Sequence, residues 1–178
     1  SVVAVEGNTS VVSSPSNKIV ETFAFIGDSW QPLEPAPAPS DINLFAFGLG
    51  LAISGNTLVV SASSDISSGG KLFIFTFNGV SWVEDEILSE PNGLRWGLEG
   101  QLAIVGDRIV IGSPTDSSNK GVVYVYKKIS GSFALEQTLA ASDGQAEDAF
   151  GYSVAYDGTH VAVGAIFDNT TGVGVRDQ

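Results

Sequence analysis

The residues that could do chemistry sit in short polar stretches. Ser142–Asp148 reads SDGQAED and brings Asp143, Glu147 and Asp148 close together in the chain. Carboxylates are the ligands hard cations prefer, so this is a candidate loop site for Ca²⁺. A solvated connecting loop is the plainer reading. Ser63–Gly70, SSDISSGG, and Asp116–Gly121, DSSNKG, offer Asp65, Asp116 and Asn119 as candidates for a ligand-facing loop surface. Asn8-Thr9-Ser10 and Asn169-Thr170-Thr171 fit the acceptor pattern for N-glycosylation, which makes Asn8 and Asn169 candidate glycan sites.

Catalytic patterns fall short. His160 is the sole histidine and follows a turn at the position that Thr57 and Arg108 take in related stretches, as an exposed strand residue would. Ser153 in GYSVA has Ala155 where a nucleophile elbow needs Gly. SGGKL has Leu72 where a phosphate loop needs Ser or Thr. No catalytic residue, cofactor or metal ligand set is assigned, and calcium stays a minor option. Trp30, Trp82 and Phe133 recur at one phase; aromatic platforms of this kind stack on sugars, but a fixed phase is also what structural packing produces.

Composition narrows the partners. The formal charge is −12, and Lys and Arg form no run, so phosphate backbones and anionic lipid are repelled. No apolar stretch approaches a membrane span. The chain has no Cys, which removes disulfides and thiolate metal sites. With 43% hydrophobic residues it is apolar enough to fold.

The elements that must position these residues are repeats. FGLGLAISGNTLVVSAS begins at Phe47, LEGQLAIVGDRIVIGSP at Leu98 and FGYSVAYDGTHVAVGA at Phe150, 51 and 52 residues apart, and a partial copy opens at Val3. Each has alternating apolar residues on both sides of a tight turn: Gly7-Asn8, Gly55-Asn56, Gly106-Asp107 and Asp157-Gly158. A second alternating run follows (KIVETFAF, KLFIFTF, GVVYVY), then the recurring aromatic and a last strand. This predicts four antiparallel strands per repeat and almost no helix, since β-branched and aromatic residues dominate at period two.

Small residues such as Ala52, Ala103, Gly112, Ala155, Ala162 and Gly164 fall in the first two strands, and Phe23, Phe73, Phe75, Tyr124 and Tyr126 in the third. That gradient fits sheets packed face to face around an axis, with crowded inner strands and diverging outer ones. The expected fold is all-β, with four-stranded propeller-type blades at about 1–40, 41–93, 94–143 and 144–178. The last is incomplete, giving about three and a half blades of a partial ring in one segment, 1–178. Pro32–Asp41, PLEPAPAPSD, reads as an extended spacer between the first two blades.

At Phe47-Gly48 and Phe150-Gly151, with Gly112-Ser113-Pro114 and Val163-Gly164-Ala165, the chain resembles the FG-GAP repeat family, the blades of the integrin α-subunit head and of many microbial surface proteins. The last copy looks most like bacterial-type repeats. The second departs, with Leu98-Glu99 in place of the aromatic-glycine pair and Trp96-Gly97 two residues earlier. The resemblance implies an extracellular or cell-surface scaffold, non-catalytic, that takes part in adhesion or protein–protein contact. Its partners would be a protein or glycan ligand and further blades of the same polypeptide or of neighbouring chains. A carbohydrate-binding propeller, or a propeller part of a larger secreted enzyme, are the alternatives. Integrin relatives hold Ca²⁺ in a loop between the first two strands; here two-residue turns fill that place, too short to supply six or more oxygens.

Overall fold

The computed structural model describes residues 1–39, 46–63, 69–93 and 101–168, and the backbone of 175–176. It is all-β, in four antiparallel sheets. Blade 1 comprises β1 (Val3–Glu6), β2 (Thr9–Ser14), β3 (Ile19–Ile26) and β4 (Ser29–Pro32). Blade 2 comprises β5 (Ala46–Ser54), β6 (Thr57–Ser63), β7 (Gly70–Phe77) and β8 (Trp82–Ser89). Blade 3 holds β9 (Leu102–Val105), β10 (Arg108–Ser113), β11 (Val122–Ile129) and β12 (Ser132–Leu139). Blade 4 holds the hairpin β13 (Phe150–Tyr156) and β14 (Val161–Ala165), with a two-residue third strand, β15 (Val175–Arg176). Strand order within each sheet follows the chain. Among the described residues the only helical pieces are a 3₁₀ turn, Pro15–Asn17, and a four-residue turn, Asp116–Asn119, and no helix is long and apolar enough to cross a membrane.

The blades stack in chain order, with β1 beside β5, β5 beside β9 and β9 beside β13. Three apolar clusters lie between successive blades. Val11 and Val20 meet Phe47, Leu58, Val60 and Phe73. Ala52, Val59 and Ile74 meet Ile104, Ile109 and Ile111. Val110 and Val123 meet Phe150 and Val161. Blades 2 and 3 are thus covered on both faces, so their second strands are apolar at consecutive positions: Leu58, Val59 and Val60 are all fully buried, as are Ile109, Val110 and Ile111. Burial of each such side chain is worth roughly 1.5–3 kcal/mol. The large residues of the third strands, Phe73, Phe75, Tyr124 and Tyr126, are buried as the size gradient requires.

The aromatic-glycine pairs have a backbone explanation. In blade 2 the β5–β6 register slips between Phe47 and Leu51, and in blade 4 the β13–β14 register slips between Phe150 and Ser153. Gly48 and Gly151 sit in these bulges with φ of +87° and +90°, a region that costs any residue with a Cβ. The same glycines receive the preceding blade: Ser13 Oγ donates to the Gly48 carbonyl at 2.7 Å, and Gly112 packs onto Gly151.

The proline stretch departs from a free spacer. Leu33 N–H donates to Thr22 O at 2.8 Å and Ala36 N–H to Val20 O at 3.0 Å. Ala36 is buried in the cluster between blades 1 and 2. The alternation of Ala and Pro lets every second residue keep its N–H, and the segment uses this to lie along β3.

Candidate functional site

The loop from β10 to β11 is the most densely bonded polar region described. It starts at Asp116, whose carboxylate is buried at 5% exposure. Tyr124, on the neighbouring strand β11, donates its hydroxyl to Asp116 Oδ2 at 2.6 Å, and Asn92 Nδ2 donates to the same oxygen at 2.8 Å. Ser117 Oγ donates to Oδ1 at 2.9 Å. Burial pushes the Asp116 carboxyl up, but these donors together outweigh it and hold the group below the usual carboxylate range. Burial comes first in raising the Tyr124 hydroxyl, followed by its bond to Asp116, so the phenol stays protonated and remains a donor.

Asn92 and Glu90 come from the segment that leaves β8. Glu90 is also 5% exposed, and its Oε2 accepts the Asn92 backbone N–H at 2.6 Å while Oε1 lies 3.4 Å from the Tyr124 hydroxyl. Burial, and next the Glu90 charge, push the Tyr126 phenol up to about 12. Sequence reasoning missed Glu90 and Asn92. The signal was the turn pair Asn92-Gly93 just past a strand end, which marks a bend but says nothing of which neighbour it meets.

The loop then turns left-handed, with φ of 53°, 63° and 61° at Ser117, Ser118 and Asn119. Three successive non-glycine residues there store strain that the surrounding bonds must offset. They do so at blade 4: Asn119 Nδ2 donates to both Glu147 carboxylate oxygens at 3.2 Å, Ala149 N–H donates to Asn119 O at 2.9 Å, and Phe150 N–H to Lys120 O at 2.8 Å. One loop therefore ties together the exit of blade 2, blade 3 and the entry of blade 4.

The other predicted residues separate. Asp148 is buried and accepts the Gln145 N–H at 2.6 Å, Glu147 turns to Asn119, and Asp143 stays exposed, so SDGQAED folds as a hydrogen-bonded bend. Among the described residues no three metal-ligating side chains converge. Asn8 is exposed at the β1–β2 turn. Asp65 and Asn169, and the pairs Trp96-Gly97 and Leu98-Glu99, lie outside the described residues. His160 is exposed just before β14, with Nδ1 3.2 Å from Asp157 Oδ2. Trp82 and Phe133 are buried, Trp82 against Phe77 and Phe133 beneath Lys128, whereas Trp30 is 44% exposed. The recurring aromatic is thus a packing residue in blades 2 and 3, with no face open to a sugar.

On the side of the tight turns, a second set of bonds links blades. Glu6 accepts the Gly55 N–H, and Ser54 Oγ accepts the Gly106 N–H at 3.0 Å. Each acceptor precedes its own turn and caps the turn of the next blade. Farther out, Glu86 Oε2 accepts the Phe133 N–H at 2.9 Å. Between blades 3 and 4 lies a cleft of about 370 Å³ lined by Arg108, Val125, Glu136, Gln137, Tyr156 and Thr159 among others, where Arg108 pairs with both oxygens of Glu136 at 2.8 and 3.1 Å.

In comparison with known families, residues 133–176 match the FG-GAP repeat. The match runs from the outer strand of blade 3, β12, through β15 of blade 4. No curated protein matches the chain.

Proposed function

Residues 133–176 being an FG-GAP repeat, a propeller-type interaction or structural module, we propose that the chain is a non-catalytic binding scaffold at the cell surface or outside the cell, serving adhesion or protein–protein contact. The observation that carries the reading is the use made of its polar residues. Asp116, Asn119 and Glu147, groups a catalytic or cation-binding reading would need, are taken up in bonds that hold one blade to the next, and Asp148 in a bond within its own bend. What the loop offers to solvent is Thr115, Ser117, Ser118 and Lys120, a polar surface on a braced support. An adhesion assay tests this. Beads coated with the protein should retain cells, and Lys120→Glu, at the exposed rim of the loop, should weaken retention several-fold. Retention no better than that of uncoated beads would overturn the reading.

A carbohydrate reading is favoured by one observation, the cleft between blades 3 and 4. Its volume lies in the range of small-ligand pockets, and it combines an apolar floor, Val125 and Val161, with a polar ring from Arg108, Glu136 and Gln137. Titration with free monosaccharides at millimolar concentration, read by the amide shifts of Thr159 and Val161, separates the two readings.

A further inference from the structure

Asn92 helps to close the junction of blades 2, 3 and 4 with a side chain that is chemically labile. Its amide nitrogen donates to Asp116 Oδ2 at 2.8 Å and to the Tyr124 hydroxyl at 3.1 Å. Both acceptors belong to buried residues, whereas Asn92 itself is exposed to water. Gly93 follows it, exposed as well, with φ of +71°. Glycine has no Cβ to hinder the approach of its nitrogen to the preceding side chain. The Gly93 N–H donates to the Glu90 carbonyl oxygen at 3.3 Å, beyond the usual range of such bonds, so little holds that nitrogen back.

We propose that Asn92 is a site of spontaneous deamidation and that its conversion releases the three-blade junction for good. The Gly93 nitrogen, once its proton has passed to water or hydroxide, attacks Asn92 Cγ. The new N–Cγ bond closes a cyclic imide, the Cγ–Nδ2 bond breaks, and Nδ2 leaves as ammonia with a proton taken from water. Water then opens the imide at either carbonyl and leaves aspartate or isoaspartate at position 92. Nothing is oxidised or reduced, and water is the only co-reactant. The bonds to Asp116 and Tyr124 hold Nδ2 in place, so the attack proceeds when the junction opens and its rate follows that opening.

The product cannot close the junction again. Where Nδ2 donated, a carboxylate oxygen faces Asp116 Oδ2, an acceptor against an acceptor and a like charge against a buried one. Tyr124 already gives its proton to Asp116, and Glu90 Oε1 stands 3.4 Å from the same hydroxyl, so three carboxylates crowd one donor. The β10–β11 loop carries the loss to blade 4, because Gly121 N–H donates to Asp116 O at 3.1 Å and Ala149 N–H to Asn119 O at 2.9 Å. The other Asn-Gly pair described, Asn78-Gly79, is the contrast. Asn78 Oδ1 accepts the Val80 and Ser81 N–H groups at 2.9 Å, and an aspartate there accepts the same two bonds. The inference is independent of the binding reading, since it concerns how long the scaffold keeps its shape, whatever it binds.

Peptide mapping by mass spectrometry tests it on protein kept in warm, mildly alkaline buffer. Asn92 should convert in the folded protein, several-fold more slowly than in the same chain unfolded in urea. Tyr124→Phe, which removes one acceptor of Nδ2, should speed the folded-state conversion several-fold. Asn92→Asp should quicken hydrogen exchange at Gly121 and Ala149 several-fold, whereas Asn78→Asp, with the same change of charge, should leave both unchanged. If Asn92→Asp does not fold, the deamidated fraction of aged wild type, separated by anion exchange, gives the same reading. An Asn92 that stays intact in the folded protein while the unfolded chain converts fully overturns the site. Exchange at Gly121 and Ala149 that conversion leaves unchanged overturns the release of the junction, and a Tyr124→Phe rate equal to that of the wild type overturns its control by the bonded junction.

Discussion

Gly112 and Gly151 meet backbone to backbone between blades 3 and 4: a Cβ added to Gly112 would lie 1.9 Å from the Gly151 carbonyl oxygen. No side chain fits there, and the atom in the way belongs to the main chain, which cannot swing aside. Gly112→Ala should therefore separate the blades locally and cost about 1–3 kcal/mol or more, as overpacking does. Urea unfolding reads it as a fall in midpoint at unchanged slope. Gly112 is not at positive φ, so the loss is steric and carries no left-handed backbone strain.

The turn-capping bonds predict a smaller effect. Ser54→Ala removes the acceptor from the Gly106 N–H, and because that amide is exposed, water replaces much of the bond. The loss should be about 0.5–1.5 kcal/mol. Faster hydrogen exchange at Gly106 in the alanine variant, and protection kept in Ser54→Thr, would assign the effect to this bond.

Acid should loosen the loop that joins blades 2, 3 and 4. The Asp116 carboxyl is held below its ordinary value of 3.8, so the unfolded chain takes up its proton first as pH falls. The contribution is fully present above that value and is lost as pH drops through the lower folded one. Asp157 behaves in the same sense: backbone N–H groups of His160 and Thr159 lead in lowering it to about 2. Melting curves of Asp116→Asn should run flatter than the wild type on the acid limb, with a lower plateau at neutral pH. An unchanged acid limb would remove Asp116 from this account.

Calcium should matter little to stability, because the tight turns lack room for a cation loop and Glu147 and Asp148 already accept hydrogen bonds. Millimolar Ca²⁺ should shift the melting temperature by less than about 5 °C, on the order of 1 kcal/mol. A larger rise contradicts this.

Expression through a eukaryotic secretory route should add a glycan at Asn8, which is exposed at a turn with Thr9 and Ser10 beside it. Mass spectrometry should show a glycan on the peptide that carries Asn8, removed by peptide N-glycosidase and absent from Asn8→Gln. An unmodified Asn8 in secreted protein would argue against the site.

The strands were legible because period-two alternation and paired turn residues are local properties. Leu58–Val60 and Ile109–Ile111 declared burial on both faces by being apolar without interruption, and the spacing of the repeats set which residues share a phase. That phase also places Trp82 and Phe133 alike, and both are buried.

Only the tertiary structure decided which residues of different blades touch. Asp116 was recognisable as a loop acid, but its partner Asn92, and Glu90 beside the Tyr124 hydroxyl, are distant in the chain, and no local pattern connects residues that far apart. The aromatic-glycine pair was visible as a repeated motif, whereas the reason for its glycine, a bulge at positive φ pressed against another blade's backbone, exists only once two sheets are packed.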